Sequence, residues 1–328
     1  MPGSGLTLAH DVVVAGVLAI GLVTADVVHV VDRMPAADEK VVGRAQRLDV
    51  GGPAANAARV AAALGAPVWL VAPFGRSSAR PIVAGALREA GVQWHDPVAR
   101  LEHPSPISSV LVTAVTGERA VISGGGPPGV DRISLSRNRI SRLLSEVGVV
   151  LVDGHALAVA VPVAAAARAR GIPVLLDAGS HKPGLERLVE HVDLAIASAD
   201  FRAPGGQGPL EWLLDHGVGY VARSAGPDPV EVRTSERLRV SGRRRTAYRI
   251  AVPHVRVVDT LGAGDVLHGA AAHAVARLGL SPATLPQILR YAVRVAAHSC
   301  RHAGVLGWTA DPLALDLRCP STCAEAQP

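Results

Sequence analysis

The residues best suited to chemistry lie together at Asp259-Thr260-Leu261-Gly262-Ala263-Gly264-Asp265. Glycine lets backbone N–H groups approach a ligand closely. An Ala-rich helical pattern follows, so the amides of Gly262, Ala263 and Gly264 open a helix whose dipole adds partial positive charge there. That combination is an anion hole. Asp265 stands directly behind it. A carboxylate there has a distinct use: it accepts the proton of a hydroxyl nucleophile while the hole stabilises charge on a transferring phosphoryl group. Phosphoryl transfer needs this division of labour, since its catalysis is mostly positioning and electrostatics. The competing reading makes Asp265 a helix cap bonded to its own backbone.

The rest of the chain must position this turn. Val12–Gly21 and Val68–Ala72 read as buried strands, while Thr24–Val31 and Val41–Val50 alternate or are β-branched and read as more exposed ones. Gly51-Gly52-Pro53 ends the last of these, and Pro53 suits the first turn of a helix through Ala54–Leu64. Ile82–Ala90 reads as a helix, and Ser109–Val115 with Glu118–Ser123 as a hairpin around Thr116-Gly117. Beyond it come strands at Val149–Val152, Pro173–Leu176, Leu194–Ala197 and Tyr220–Arg223. Helices at Val161–Ala169, Leu185–His191 and Glu211–Asp215 separate them. This alternation predicts an α/β fold: a doubly wound, mostly parallel central sheet flanked by helices. The polar-alternating strands predict a small inserted β-sheet, contributed by about residues 22–50 and 106–123. The expected domain is 12–315, with a disordered tail over 318–328.

Composition narrows the classes. Hydrophobic residues make up 49% and aromatic residues only 3%, so the core is built from Val, Leu, Ile and Ala, as a buried parallel sheet requires. The net charge of +5 comes from scattered arginines with no interleaved aromatics, which argues against nucleic acid. Arg243-Arg244-Arg245 reads as a solvated loop. Cys300, Cys319 and Cys323 have no metal-ligand spacing with histidines and fit a reducing, cytoplasmic compartment. The run Val12–Val23 lacks a basic flank and is too short for a bilayer, so no membrane partner is expected.

Three motifs in register carry a family resemblance. The string Asp259–Asp265 resembles the C-terminal signature of the ribokinase-like, or PfkB, carbohydrate kinases. Gly51-Gly52-Pro53-Ala54-Ala55-Asn56, followed by Leu64-Gly65, resembles their N-terminal signature. Gly21–Asp26 is similar to the strand end bearing their sugar-binding aspartate. The resemblance implies Asp265 as general base and Gly262, Ala263 and Gly264 as anion-hole amides. It implies sugar contacts at Asp26, Asn56, Gly51 and Gly52. For ATP it implies the loop Ser224-Ala225-Gly226 together with Thr260 and the segment Ala296–Gly304, including His298, Cys300 and Gly304. Mg2+ would be held largely through water, and a monovalent cation such as K+ would sit near Asp259. The inserted sheet would be a lid over the sugar and, as in many relatives, a homodimer interface.

The chain departs from the family where many members carry Gly-Asp-Asp and Asn-x-x-Glu. Here the corresponding runs read Phe74-Gly75-Arg76-Ser77-Ser78 and Ala197-Ser198-Ala199-Asp200-Phe201-Arg202. Motif detail resembles the ketohexokinase branch at Val30–Asp38, which implies a sugar contact from Asp38, and the sulfofructose kinase branch at Val257–Ala270. Both branches tend to carry Arg where His155 falls. The expected activity is ATP-dependent phosphorylation of a primary hydroxyl of a small, fructose-like ketose. His95, His155 and Arg119 are further selectivity candidates. Two alternatives stay open: a nucleoside kinase of the same fold, and a sugar- or nucleotide-binding regulator without catalysis.

Overall fold

The computed structural model describes residues 15–102, 106–124, 133–236 and 247–311. The expected tail at 318–328, the run Arg243–Arg245, Cys319 and Cys323 lie outside them. In chain order the first elements are β1 (Gly16–Ile20), β2 (Thr24–Val31), β3 (Ala45–Gly51), α1 (Pro53–Ala63), β4 (Val68–Val71), α2 (Arg80–Glu89) and β5 (Gln93–His95). Next come β6 (Ile107–Thr113), β7 (Arg119–Ser123), α3 (Arg137–Leu143), β8 (Val147–Val152), α4 (Leu157–Arg168), β9 (Val174–Ala178), α5 (Leu185–Val189) and β10 (Leu194–Ala197). The last are α6 (Pro209–Asp215), β11 (Tyr220–Ala225), β12 (Asp228–Thr234), β13 (Ala247–Ile250), α7 (Ala263–Leu278) and α8 (Leu285–Ser299).

Nine strands form the central sheet in the order β13-β12-β11-β10-β9-β8-β1-β4-β5. The strands from β5 to β11 run parallel, and β12 and β13 complete one edge antiparallel. Because side chains alternate along a strand, each central strand feeds both faces. Val17 and Ala19 join the core beneath α1, α7 and α8, while Leu18 and Ile20 join the opposite core with α4, α5 and α6. All four are fully buried. This is the doubly wound architecture that the alternation predicts. The reading had no counterpart for β5, β12, β13, α3 or α8, although α8 carries a clear helical spacing of buried Leu285, Ile288, Leu289, Ala292 and Val295.

The lid is a separate four-stranded sheet, β3-β2-β6-β7. It is mixed: β2 pairs antiparallel with β3 and parallel with β6, and β6 forms the expected hairpin with β7. The apolar run through Val23 holds β1, which ends at Ile20; at Gly21 the chain leaves the central sheet, and the lid begins with β2 at Thr24. A side chain on Gly21 would overlap the carboxylate of Asp153, which stands just past β8. The break lies between β1 and β8, from which the chain winds in opposite directions, the place where such sheets open a crevice.

Helices α1 and α7 pack side by side over the sheet, and Gly269 sets their distance. A Cβ there would lie 2.5 Å from the Ala57 carbonyl oxygen and 2.9 Å from Val60 Cβ. Alanine gains about 1 kcal/mol of helix propensity over glycine, but a backbone carbonyl cannot rotate aside. We expect Gly269→Ala to lower unfolding stability by about 1–3 kcal/mol net, read by chemical denaturation. A stability equal to or above that of the native chain would show that the helix spacing has slack.

Candidate active site

The N-termini of α1 and α7 meet at one end of a cleft of about 360 Å3 beneath the lid, large enough for a small ligand. Their meeting point is a hydrogen bond from Asn56 Nδ2 to Asp265 Oδ2 of 2.7 Å. Asp265 bonds across to the other helix rather than to its own backbone, so the helix-cap reading does not describe it. Gly262 precedes the helix at φ 74°, in the left-handed region, and no side chain caps α7. The amides of Gly264 and Asp265 have no hydrogen-bond partner among the described residues. Gly262, Ala263 and Gly264 line the cleft with Asp265.

Burial pushes the Asp265 carboxyl up to about 7. Asp177 and Asp153 push in the same direction, while Asn56 and His268 oppose the rise. A group poised near neutrality both takes and returns a proton readily.

The floor around Asp265 was not legible in the sequence. Asp153 accepts amide bonds from Leu22 (2.9 Å), Ala54 (3.1 Å) and His155 (2.9 Å), which ties the end of β1 to the start of α1. Burial opposes its charge, but His155 and these amides outweigh burial and hold it below the usual range. Asp177, at the end of β9, is raised by burial and by Asp153. His268 Nδ1 lies 3.4 Å from Asp177 Oδ2 and 2.7 Å from the Gly264 carbonyl, and its Nε2 lies 3.1 Å from the Ile196 carbonyl. The ring thus pins the first turn of α7 to the end of β10. The available signal was that aspartates directly follow the buried runs Val149–Val152 and Val174–Leu176.

The lid contributes a ladder. Strand register places Asp49, Asp26, Ser108 and Ser123 side by side across its four strands, and all four line the cleft. Asp26 accepts from Thr24 Oγ1 at 2.6 Å. Burial raises its pKa, and Asp49 opposite adds to the rise. Arg59 Nη2 lies 3.3 Å from Asp49 and partly balances the pair. Gly51 is required here because any side chain would overlap Asp26 Oδ2. Gly52, at φ 92°, lets the chain pass the Leu22 carbonyl. The next row holds Arg47, Val28, Val110 and Val121. Arg119 Nη1 donates to Thr260 Oγ1 at 3.2 Å, and Arg47 lies 3.9 Å from Asp259. Two lid arginines therefore reach the Gly-rich turn; the sequence singled out Arg119 and missed Arg47.

Other expected residues fall elsewhere. Asp38 sits on an exposed turn at φ 58°, outside the cleft lining. His95 lies on β5, an edge strand of the central sheet, outside the cleft lining. Ser224 is half-buried at the end of β11, and Gly226 is exposed in the turn beyond. Ala296 and Cys300 are half-buried near the end of α8. The Cys300 carbonyl accepts the amides of Val258 (2.7 Å) and Asp259 (3.2 Å). Asp259 itself accepts the amides of Leu261 (2.8 Å) and Gly304 (2.9 Å). Its observed partners are thus the loop and Arg47. Thr260 and Gly304 do line the cleft. Among the described residues no helix is long and apolar enough to cross a membrane.

Comparison with known proteins gives the same assignment as the motifs. A pfkB family carbohydrate kinase model matches residues 14–309. The ribokinase of Arabidopsis thaliana is 24% identical over 266 residues, covering 79% of this chain and 70% of that protein. The bifunctional protein HldE of Pseudomonas putida is 30% identical over 309 residues, covering 86% of this chain; this chain spans 63% of its length. The solved Arabidopsis ribokinase complexed with ribose and ATP superposes with a TM-score of 0.67 at 21% identity, covering 88% of this chain and 94% of that one. The ribokinase of Giardia lamblia superposes with a TM-score of 0.72 at 16% identity, covering 89% and 94%. The chain therefore belongs to the pfkB family of carbohydrate kinases, phosphotransferases that act on an alcohol group.

Proposed function

We propose that this chain transfers the terminal phosphoryl group of ATP to a primary hydroxyl of a small sugar, a fructose-like ketose. The observation that carries the reading is a carboxylate poised near pH 7, Asp265, beside a turn with uncapped amides and opposite a ladder of hydroxyl-binding groups. Asp265 takes the hydroxyl proton, and the amides of Gly262 and Gly264 stabilise charge developing on the phosphoryl oxygens, while the Ala263 amide is given to the Thr260 carbonyl at 3.2 Å. Asn56 holds Asp265 in line. Asp26, with Asp49 and Ser108, orients the sugar hydroxyls, and Gly51 and Gly52 allow its close approach.

The uncapped amides fit a nucleotide phosphate. The base and ribose would run along Ser224–Gly226 and the segment Ala296–Gly304. ATP with Mg2+, the latter held largely through water, supplies the phosphoryl group and shields its charge when bound. Asp259 in this reading serves the loop rather than a monovalent cation. The cleft lining contains no aromatic side chain to stack a nucleobase, which weighs against a nucleoside acceptor. A purely binding protein would have no use for a carboxyl held near neutrality, and ATP as donor places the reaction in the cytoplasm. Leu48, Ile107 and Ile122 are exposed apolar lid residues that pairing with a second copy would cover.

A second reading rests on Arg47 and Arg119. Two guanidinium groups at one cleft suit a sugar that carries an anionic substituent. ATP turnover over fructose, ribose, a phosphorylated ketose, sulfofructose and adenosine separates the cases. With a neutral sugar as substrate, Arg119→Ala changes KM by less than about threefold. With an anionic one it raises KM by about tenfold or more, the scale of a lost charge-assisted bond. Turnover of adenosine alone would refute both readings.

Asp265→Asn should lower kcat by about 10^2–10^4-fold while sugar binding by calorimetry persists. Native kcat/KM should rise with pH through about 7, as Asp265 loses its proton. The stability consequence runs the other way. A carboxyl raised in the folded state stabilises the fold while protonated and loses that contribution as pH rises through 7. The Asn variant should therefore gain stability over the native chain between pH 5 and pH 8, by about 2 kcal/mol. A pH-independent difference in denaturation would show that Asp265 titrates in its ordinary range.

A further inference from the structure

A second group of ligand-type side chains lies at the end of α8. His298 occupies the last turn of the helix, and His302 follows just past the C-cap Cys300. Asp311 stands directly after the short 3-10 turn Gly307–Ala310. None of the three lines the cleft. The two imidazole rings are 5.0 Å apart between centroids. His302 Nε2 lies 3.8 Å from Asp311 Oδ2, and one ligand atom from each residue falls within 4.8 Å of the other two.

One observation indicates that something belongs between them. His302 Nε2 is shielded from solvent and has no hydrogen-bond partner, since 3.8 Å is beyond hydrogen-bond reach. Leaving such a nitrogen unpaired costs about 1–3 kcal/mol. His298 is 4% exposed, and its Nε2 lies 2.7 Å from the Asp311 carbonyl. That backbone contact fixes the ring, as such contacts orient metal-binding imidazoles. A tetrahedral ion with bonds of about 2.0–2.2 Å holds its ligands about 3.4 Å apart. Asp311 is 65% exposed in its side chain and free to close the remaining gap.

We propose that His298, His302 and Asp311 form a transition-metal site. Two imidazoles and a carboxylate suit Zn2+ or Co2+, and not Mg2+, which prefers oxygen ligands and keeps its waters. The site stands independently of the phosphoryl-transfer reading. It does touch the same machinery from behind: the segment carrying both histidines also accepts the Val258 and Asp259 amides at Cys300 and donates from Gly304 to Asp259. An ion joining His298 and His302 to Asp311 braces the strap that holds the Gly-rich turn.

The test uses the full chain without an affinity tag, stripped with a chelator and titrated with Co2+ and Zn2+ in the absence of nucleotide. Co2+ visible absorption and calorimetry report binding, and thermal unfolding reports the bracing. The expected result is one ion per chain, a higher Tm with Zn2+, and affinity weakened by about tenfold or more in both His302→Gln and Asp311→Asn. The double variant Cys319→Ser/Cys323→Ser should bind as the native chain does. Binding that is absent, that survives both ligand substitutions, or that vanishes only in the cysteine variant overturns the proposal. Should His302→Gln fail to fold, judged by circular dichroism in chelator, the exposed Asp311→Asn decides alone.

Discussion

The site depends on two helix N-termini being held side by side at the same end. Helix dipoles of the same sign repel when their positive ends converge, and the convergence persists here because a carboxylate lies between them. Asp265 sits in the first turn of α7 and accepts from Asn56 in the first turn of α1. The negative charge that the two ends favour is the charge that desolvation opposes. Burial is the larger effect and lifts the carboxyl to about 7. The balance leaves a group neither locked as an anion nor fixed as an acid. Closing the distance requires small residues along α1 and α7: Gly269 at the crossing, and Ala55, Ala58, Ala270 and Ala271 fully buried beside it.

The floor of the site extends this logic to three carboxylates. Asp153 and Asp177 lie at the C-terminal ends of β8 and β9 and Asp265 at the N-terminus of α7, and they differ in what compensates their burial. Asp153 has three amides and His155, and stays charged. Asp177 has His268 and the half-buried Lys182, and is still raised. Asp265 has one amide hydrogen from Asn56 and is raised to about 7. Hydrogen-bond donors, more than depth, separate the structural anion from the proton acceptor. Lys182 is itself pushed down by burial against the pull of Asp153 and Asp177, so the floor tolerates its charges only as a set.

Much of this was legible before any coordinates. The Gly-rich turn, the Gly-Gly pair before α1 and the alternation of strands and helices are local patterns, and local patterns survive in sequence. Asp26, Asn56 and Asp265 were found because each sits in such a pattern. What escaped was set by register and by distance along the chain. Asp153 is 131 residues from the Leu22 amide it accepts, and Asn56 is 209 residues from Asp265. Strand β12 had no counterpart in the reading; its pairing with β11 supplies what its composition lacks. Asp38 lies on the exposed turn beyond β2, outside the cleft of its own chain, so a sugar contact from it would have to cross to a second copy.

The lid shows most clearly why spacing alone underdetermines function. Asp26, Asp49, Ser108 and Ser123 are scattered over almost 100 residues of chain, yet strand pairing lines them up as one polar row. A shift of one residue in any of the pairings would turn that strand's contribution to the opposite face. The register is set where Gly51 passes Asp26 and Gly52 passes the Leu22 carbonyl, because no larger residue fits either crossing. The same register brings Arg47 and Arg119 over the anion-binding turn from two different strands. Acceptors near α1 and cations near α7 thus divide the cleft, hydroxyl groups on one side and negative charge on the other. In the proposed reading, this polarity favours a polyol whose reacting hydroxyl faces Asp265.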